Sequence, residues 1–221
     1  MHVLMKLLFG ITVLAAMLPG NAAAAPAKPT AAKALPLSQS YTWYDGDRER
    51  KVWLNPQLVA EFNPGAQGER SVRSTYTAAQ TIPTKRGQGG VRLWKLNEAG
   101  KANETAKPND TATTAIRNLK AIYPQGRYSA ILHDGPSDAG RMRALPGNII
   151  VYLNPQWDEA AVKSWLSSHQ LAIVKKLEIG PNIYVIKTGP GLEALTIANT
   201  LYRSGEVQAA FPDWWQEVAT R

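Results

Sequence analysis

The chain has 221 residues, 44% of them hydrophobic, with 25 Lys and Arg against 17 Asp and Glu and no cysteine. The missing thiols exclude cysteine nucleophiles, thiolate metal sites and disulfide staples, so stability has to come from a buried core. The formal charge of +8 is spread along the chain, and its densest spots (Lys85–Arg86, Arg141–Met142–Arg143, Lys175–Lys176) carry no stripe of interleaved aromatics, which argues against a nucleic-acid partner.

Met1–Lys6 leads into the apolar run Leu7–Leu18 and the small-residue stretch Asn21–Ala25, the pattern of a cleavable secretory signal over residues 1–24. The apolar run is too short for a membrane-spanning helix, so no membrane association is expected after cleavage, and the protein is expected to be periplasmic or secreted. Residues 25–40, rich in Ala and Pro, read as a flexible leader. Tyr41–Tyr44 and Lys51–Leu54 flank Asp45–Gly46 as a hairpin, with Leu58–Phe62 extending the second arm past Asn55–Pro56. Residues 63–90 read as mostly loop, Val91–Leu96 as a half-buried strand, and residues 97–112 as polar and mobile. A helix capped by Thr113 or Thr114 runs to about Tyr123. Tyr128–His133 and Arg141–Leu145 are strands on either side of a turn at Asp134–Gly140. Residues 41–145 thus form a small N-terminal α+β unit.

Residues 146–214 carry a tighter pattern. Asn148–Leu153 is a strand followed by a turn at Asn154–Pro155. Asp158–Gln170 places Val162, Trp165, Leu166 and His169 at helical spacing. Leu171–Ile179 and Ile183–Lys187 are strands around Gly180–Pro181–Asn182. Leu192–Arg203 is a second helix, with Ala194, Leu195, Ala198, Leu201 and Tyr202 on one face and Gly205 just past its end. Val207–Phe211 is the last strand. The order βαββαβ predicts an α+β, ferredoxin-like sandwich: a four-stranded antiparallel sheet with two helices on one face. Trp53–Leu54–Asn55–Pro56–Gln57 is echoed by Tyr152–Leu153–Asn154–Pro155–Gln156, a match too short to establish a duplication.

The residues of this region, from Gly147–Asn148–Ile149–Ile150–Val151–Tyr152 through Ala194–Leu195 to Phe211–Pro212–Asp213–Trp214, resemble the N-terminal propeptide of subtilisin-like serine proteases. Ala198–Asn199–Thr200–Leu201–Tyr202–Arg203–Ser204–Gly205–Glu206–Val207 is the most specific stretch, and Tyr128–Asn148 is similar to what precedes this module in long bacterial propeptides. The Asp, His and Gly-Thr-Ser motifs of the protease domain are absent from the sequence. The resemblance implies a module that folds and then inhibits a cognate protease, its C-terminal tail lying along the active-site cleft. The corresponding tail is residues 215–221, and the protease-binding part is expected to be Glu217, Val218, Ala219, Thr220 and Arg221. Arg221 would fill the pocket before the scissile position and Val218 an apolar pocket three residues earlier. A terminal Arg departs from the aromatic or apolar residue that many subtilisin-like enzymes favour. The expectation is a stand-alone, exported propeptide-like protein acting in trans on a subtilisin-like serine protease, with a repurposed, non-inhibitory envelope interaction module as the alternative.

Other candidate sites weigh less. His133, Asp134 and Ser137 supply hydrolase residue types, but on one Gly/Pro-rich turn with no G-x-S-x-G around the serine they read as turn chemistry. His169, near a helix C-terminus, reads as a cap. No catalytic residue, metal site or cofactor is therefore assigned. Trp214 and Trp215 are candidate partner contacts, of which strand alternation lets only one face the sheet core.

Overall fold

The computed structural model describes residues 36–62, 79–82, 90–96 and 108–217, all within one compact unit spanning residues 34–221. The expected signal peptide, most of the leader and tail residues 218–221 lie outside the described residues. In chain order the first elements are β1 (Ser40–Asp45), β2 (Arg48–Phe62), β3 (Ala79–Ile82), β4 (Val91–Leu96), α1 (Pro108–Ile122), β5 (Arg127–His133) and β6 (Met142–Ala144). Then come β7 (Ile149–Tyr152), α2 (Glu159–Ser168), β8 (Ile173–Lys176), β9 (Ile183–Ile186), α3 (Leu192–Ser204), β10 (Ala209–Pro212) and β11 (Trp215–Gln216). The protein is mixed α+β with antiparallel sheets and three helices among the described residues.

The first sheet is built around β2. A two-residue turn at Gly46–Asp47, with Gly46 at φ +64°, folds β1 back on the first half of β2. β4 pairs its second half, and β5 pairs both halves. The ladder to β5 jumps from Asn55↔Ile131 to Val59↔Ala130, leaving Pro56–Leu58 bulged out. Pro56 has no N–H for a ladder, so a bulge is where it fits. Asn55 closes the bulge: its Oδ1 accepts the Gln57 N–H at 2.9 Å, while its Nδ2 lies 3.1 Å from His133 Nε2. Asn154 Oδ1 accepts the Gln156 N–H at the same 2.9 Å. The repeated Leu-Asn-Pro-Gln is thus one turn device used twice, an Asn side chain satisfying the N–H two residues on.

The second sheet has the order β10-β7-β9-β8, antiparallel throughout. Ile149 and Val151 from β7, Tyr184 and Ile186 from β9 and Ala210 from β10 form one core cluster. Val162, Trp165 and Leu166 from α2 and Ala194, Ala198 and Leu201 from α3 complete it. Both helices therefore cover the same face. Asp158 caps α2 through Oδ1, which accepts the Ala161 N–H at 2.8 Å, and Gly205 closes α3 at φ +74°. Leu192 and Leu195 of α3 turn instead toward a cluster with Trp43, Leu54, Ala130 and Leu132. The two sheets share core through this helix, which also donates Asn199 Nδ2 to the Thr42 carbonyl at 2.8 Å.

Several expectations are corrected. Pro36–Ser40 is not a free leader: Leu37 is buried, its N–H donates to the Pro136 carbonyl at 2.9 Å, and Pro36 bridges Ser137. The helix expected from Thr113 or Thr114 begins at Pro108, a residue whose missing N–H costs nothing in a first turn. Residues 79–82, read as loop, form β3 because β4 offers them an edge. The strand expected over Leu171–Ile179 is limited to Ile173–Lys176, and Trp215–Gln216, read as tail, is a strand on β6.

Asn182 sets the β8–β9 connection. It sits at φ +52°, is 8% exposed, donates through Nδ2 to the carbonyls of Asn154 and Trp157 (both 2.8 Å) and accepts from the Tyr184 hydroxyl at 3.3 Å. Replacing it by Ala strands two acceptors and places a Cβ-bearing, non-amide residue at positive φ. Asn182→Ala is expected to cost about 2–3 kcal/mol in urea unfolding, and Asn182→Gly about 1 kcal/mol less, because Gly adopts that φ freely. Equal losses for both would mean that the backbone conformation contributes nothing.

Candidate functional site: an uncovered sheet face and a clamped C-terminal strand

Alternation puts Ile150 and Tyr152 of β7, Ile183 and Val185 of β9, and Ala209 and Phe211 of β10 on the face opposite α2 and α3. None carries a charge. Ile150, Tyr152 and Phe211 are partly exposed, while Ile183, Val185 and Ala209 are buried. The Tyr152 and Phe211 rings meet at 5.8 Å. At the β10 end this face opens into a cavity of about 420 Å³ shared with Trp43, Arg141, Arg143 and Trp214.

Trp214 and Trp215, following β10, diverge as strand alternation requires. Trp214 meets Trp43 edge-on, with ring centroids 5.3 Å apart. The Arg143 guanidinium lies 5.6 Å from the Trp43 ring and 5.5 Å from the Trp214 ring, and is fixed by two bonds to Asp134, at 2.6 and 3.0 Å. Trp215 packs on the other side of the first sheet, beside Ala144, Leu93 and Phe62. Each ring is therefore used against a different core, and both remain partly exposed. Past them, Gln216 pairs with Arg143 in β6 and the Glu217 N–H donates to the Met142 carbonyl at 3.1 Å. The segment is clamped as far as Glu217; Val218, Ala219, Thr220 and Arg221 lie outside the described residues. The sequence marked Arg141–Met142–Arg143 only as a dense basic spot. The role of Arg143 depends on Trp43, a hundred residues earlier in the chain, and nothing local in the sequence announces it.

The remaining sequence candidates have structural partners. Both ring nitrogens of buried His133 are engaged, Nδ1 with the Gly140 carbonyl at 2.9 Å and Nε2 with Asn55. Asp134 is held by Arg143, and the Ser137 carbonyl accepts the Gly140 N–H. These residues form a turn in which His133 is hydrogen-bonded to neither Asp134 nor Ser137. His169 is the residue that ends α2, its Nδ1 2.9 Å from the Trp165 carbonyl and its Nε2 3.1 Å from Glu206. Among the described residues no three His, Asp or Glu side chains are placed to hold a metal ion, and no helix is long and apolar enough to cross a membrane.

One buried polar cluster has no local signal in the sequence. Glu61, fully buried, accepts from Trp94 Nε1 at 2.9 Å and from Arg92 at 3.4 Å, leaving its Oε1 and the neighbouring Tyr128 hydroxyl without hydrogen-bond partners. Burial, and next the Glu61 carboxylate, push the Tyr128 phenol well above its ordinary range. No family model, no curated protein and no solved structure matches the chain.

Two outcomes follow from these contacts. Arg143→Met removes the guanidinium that holds Trp43, Trp214 and Asp134 together. It is expected to lower stability by about 1–2 kcal/mol and shift tryptophan emission to the red, and Arg143→Lys does not restore it, because Lys lacks the planar fork. An unchanged emission spectrum would show that the rings hold without it. For Tyr128 the raised folded-state pKa makes its stabilising contribution complete below the unfolded value of about 10 and lost as pH rises beyond it. Tyr128→Phe is therefore expected to be near neutral at pH 7 and more stable than the native chain above about pH 10, read from paired urea midpoints. A large loss at pH 7 would mean that the hydroxyl is hydrogen-bonded.

Proposed function

We propose that residues 146–214 are a ferredoxin-like, propeptide-type module, and that the exported protein binds a subtilisin-like serine protease in trans as folding chaperone or inhibitor. The observation that carries this reading is the second sheet's other face, which no helix covers among the described residues. Ile150, Tyr152 and Phe211 remain partly exposed on a face with no charged side chain on β7, β9 or β10. Covering each of these three would gain about 1 kcal/mol from water exclusion. An apolar sheet face docking on the enzyme, with an extended tail adding main-chain hydrogen bonds in its cleft, uses both features. In this reading the tail Glu217–Arg221 enters the cleft, following the β11 pairing that holds the chain as far as Glu217, and catalysis by the chain itself plays no role.

A second reading has its own support. The pairing of Trp215–Gln216 with β6 holds the start of the tail on the protein body, which suits a repurposed envelope interaction module that inhibits nothing. Inhibition of a co-exported subtilisin-like protease separates the two. The proposal expects saturable inhibition that weakens about thirtyfold or more in a chain lacking Glu217–Arg221 and in an Ile150→Asp, Tyr152→Glu variant shown to be folded. No inhibition by the native chain of any such protease from the same cell would sink the inhibitor reading in favour of the second.

A further inference from the structure

β8 is an edge of the second sheet, and among the described residues its outer side faces no strand. All four of its residues are exposed, with Ile173 at 45% and Val174 at 51%. The ladder bonds to β9 fix which backbone groups point outward. The Lys187 N–H donates to the Ala172 carbonyl and the Leu177 N–H to the Ile183 carbonyl, both at 2.8 Å. The intervening pairs Ile173↔Ile186 and Lys176↔Tyr184 are the ones that do not exchange hydrogen bonds, so the N–H and C=O of Ile173 and Lys176 turn to the open side. Beside this edge, between β8 and α2, runs a groove of about 760 Å³ floored by Val162, Leu166, Ile173 and Tyr184, with Lys163 and Lys176 lining it. Glu159 also lines it. Among the described residues no carboxylate forms an ion pair with Lys163, Lys175 or Lys176.

From this geometry we infer that the β8 edge is a strand-addition site for an extended acidic segment of a partner protein. The segment would pair with the outward backbone groups of Ile173 and Lys176 and set apolar side chains in the groove. Its acidic residues would meet Lys175 on the other face. The lysines also choose between occupants. A second copy of this chain docking edge to edge would bring Lys175 and Lys176 against their own counterparts, a like-charge contact of the kind that keeps sheet edges from self-pairing. An acidic strand meets the same lysines favourably. The bulge between Ile173 and Lys175 limits how long a ladder the edge can extend, so a short segment fits better than a long one. This site is the sheet's edge, touching the face opposite the helices only through Lys175, the ladder partner of Val185, and it does not depend on any protease.

The test is titration of the purified protein with a blocked hexapeptide of alternating glutamate and valine, followed by amide chemical shifts. Saturable shifts centred on Ile173–Lys176 are expected. Binding should weaken at least tenfold when the peptide is N-methylated at alternate residues. A folded Lys175→Glu, Lys176→Glu variant should weaken it to a similar degree, and a lysine–valine peptide should not bind. The inference is overturned by no saturable shifts, by shifts centred on Ile150 and Val185 instead, or by binding indifferent to N-methylation and charge reversal. Concentration-dependent dimers of the native chain that disappear when Ile173 is replaced by Pro would likewise overturn it, by making a second copy the occupant.

Discussion

Strands β7 and β9 carry uncharged, largely apolar side chains at every position, so the second sheet has two faces to keep from water and helices for only one of them. That constraint organises this half of the protein. Ile149, Val151, Tyr184 and Ile186 disappear under α2 and α3, while Ile150, Tyr152, Ile183 and Val185 face the other way. A sheet meant to show one side to solvent would alternate apolar and polar residues along each strand. Here charge enters only in β8, at the edge, through Lys175 and Lys176. Among the described residues no helix packs on the face of Ile150, Tyr152 and Phe211, which stay partly exposed.

The first sheet anchors the region that surface belongs to. Helix α3 faces two cores, giving Ala194, Ala198 and Leu201 to one and Leu192 and Leu195 to the other. Tyr44 stacks on Tyr202 at 4.3 Å, and Asn199 reaches the backbone of β1. The chain leaving β10 then returns to the first sheet through the Trp43–Arg143–Trp214 stack and the short pairing on β6. The chain is thereby held against the first sheet as far as Glu217.

Where the sequence is periodic, it was readable. The 3.6-residue spacing of Val162, Trp165 and Leu166, and of Ala194, Ala198 and Leu201, places α2 and α3 within a residue or two of their ends. The left-handed Gly205 follows from local backbone chemistry and is legible. The hairpin at Gly46 is legible too, though it turns at Gly46–Asp47, one residue past the expected Asp45–Gly46. The bulge at Pro56 is set by the β5 ladder and not by the sequence pattern. The misses share a different cause. β3 and β11 are short, and they are strands only because a partner strand from elsewhere in the chain offers an edge. Pro36–Ser40 is ordered by Leu37 and by backbone bonds to the turn at Pro136. Arg143 acquires its role from two tryptophans distant in sequence, and Glu61 is buried because Trp94 and Arg92 sit across the ladder from it. Tertiary partners of this kind leave no period to read. The uncovered face was half legible: unbroken apolar strands announce two buried faces, but not which one the helices take.

The most direct test of the account uses the two faces against each other. In methyl-labelled protein bound to a co-exported subtilisin-like protease, saturating the protease protons should attenuate the methyl signals of Ile150, which is partly exposed on the uncovered face. Those of Ile149, Val151 and Ile186, on β7 and β9 but under the helices, should be spared. Attenuation confined to Ile173 and Val174, or spread alike over Ile150 and the residues under the helices, would contradict the claim that the uncovered face is the binding surface.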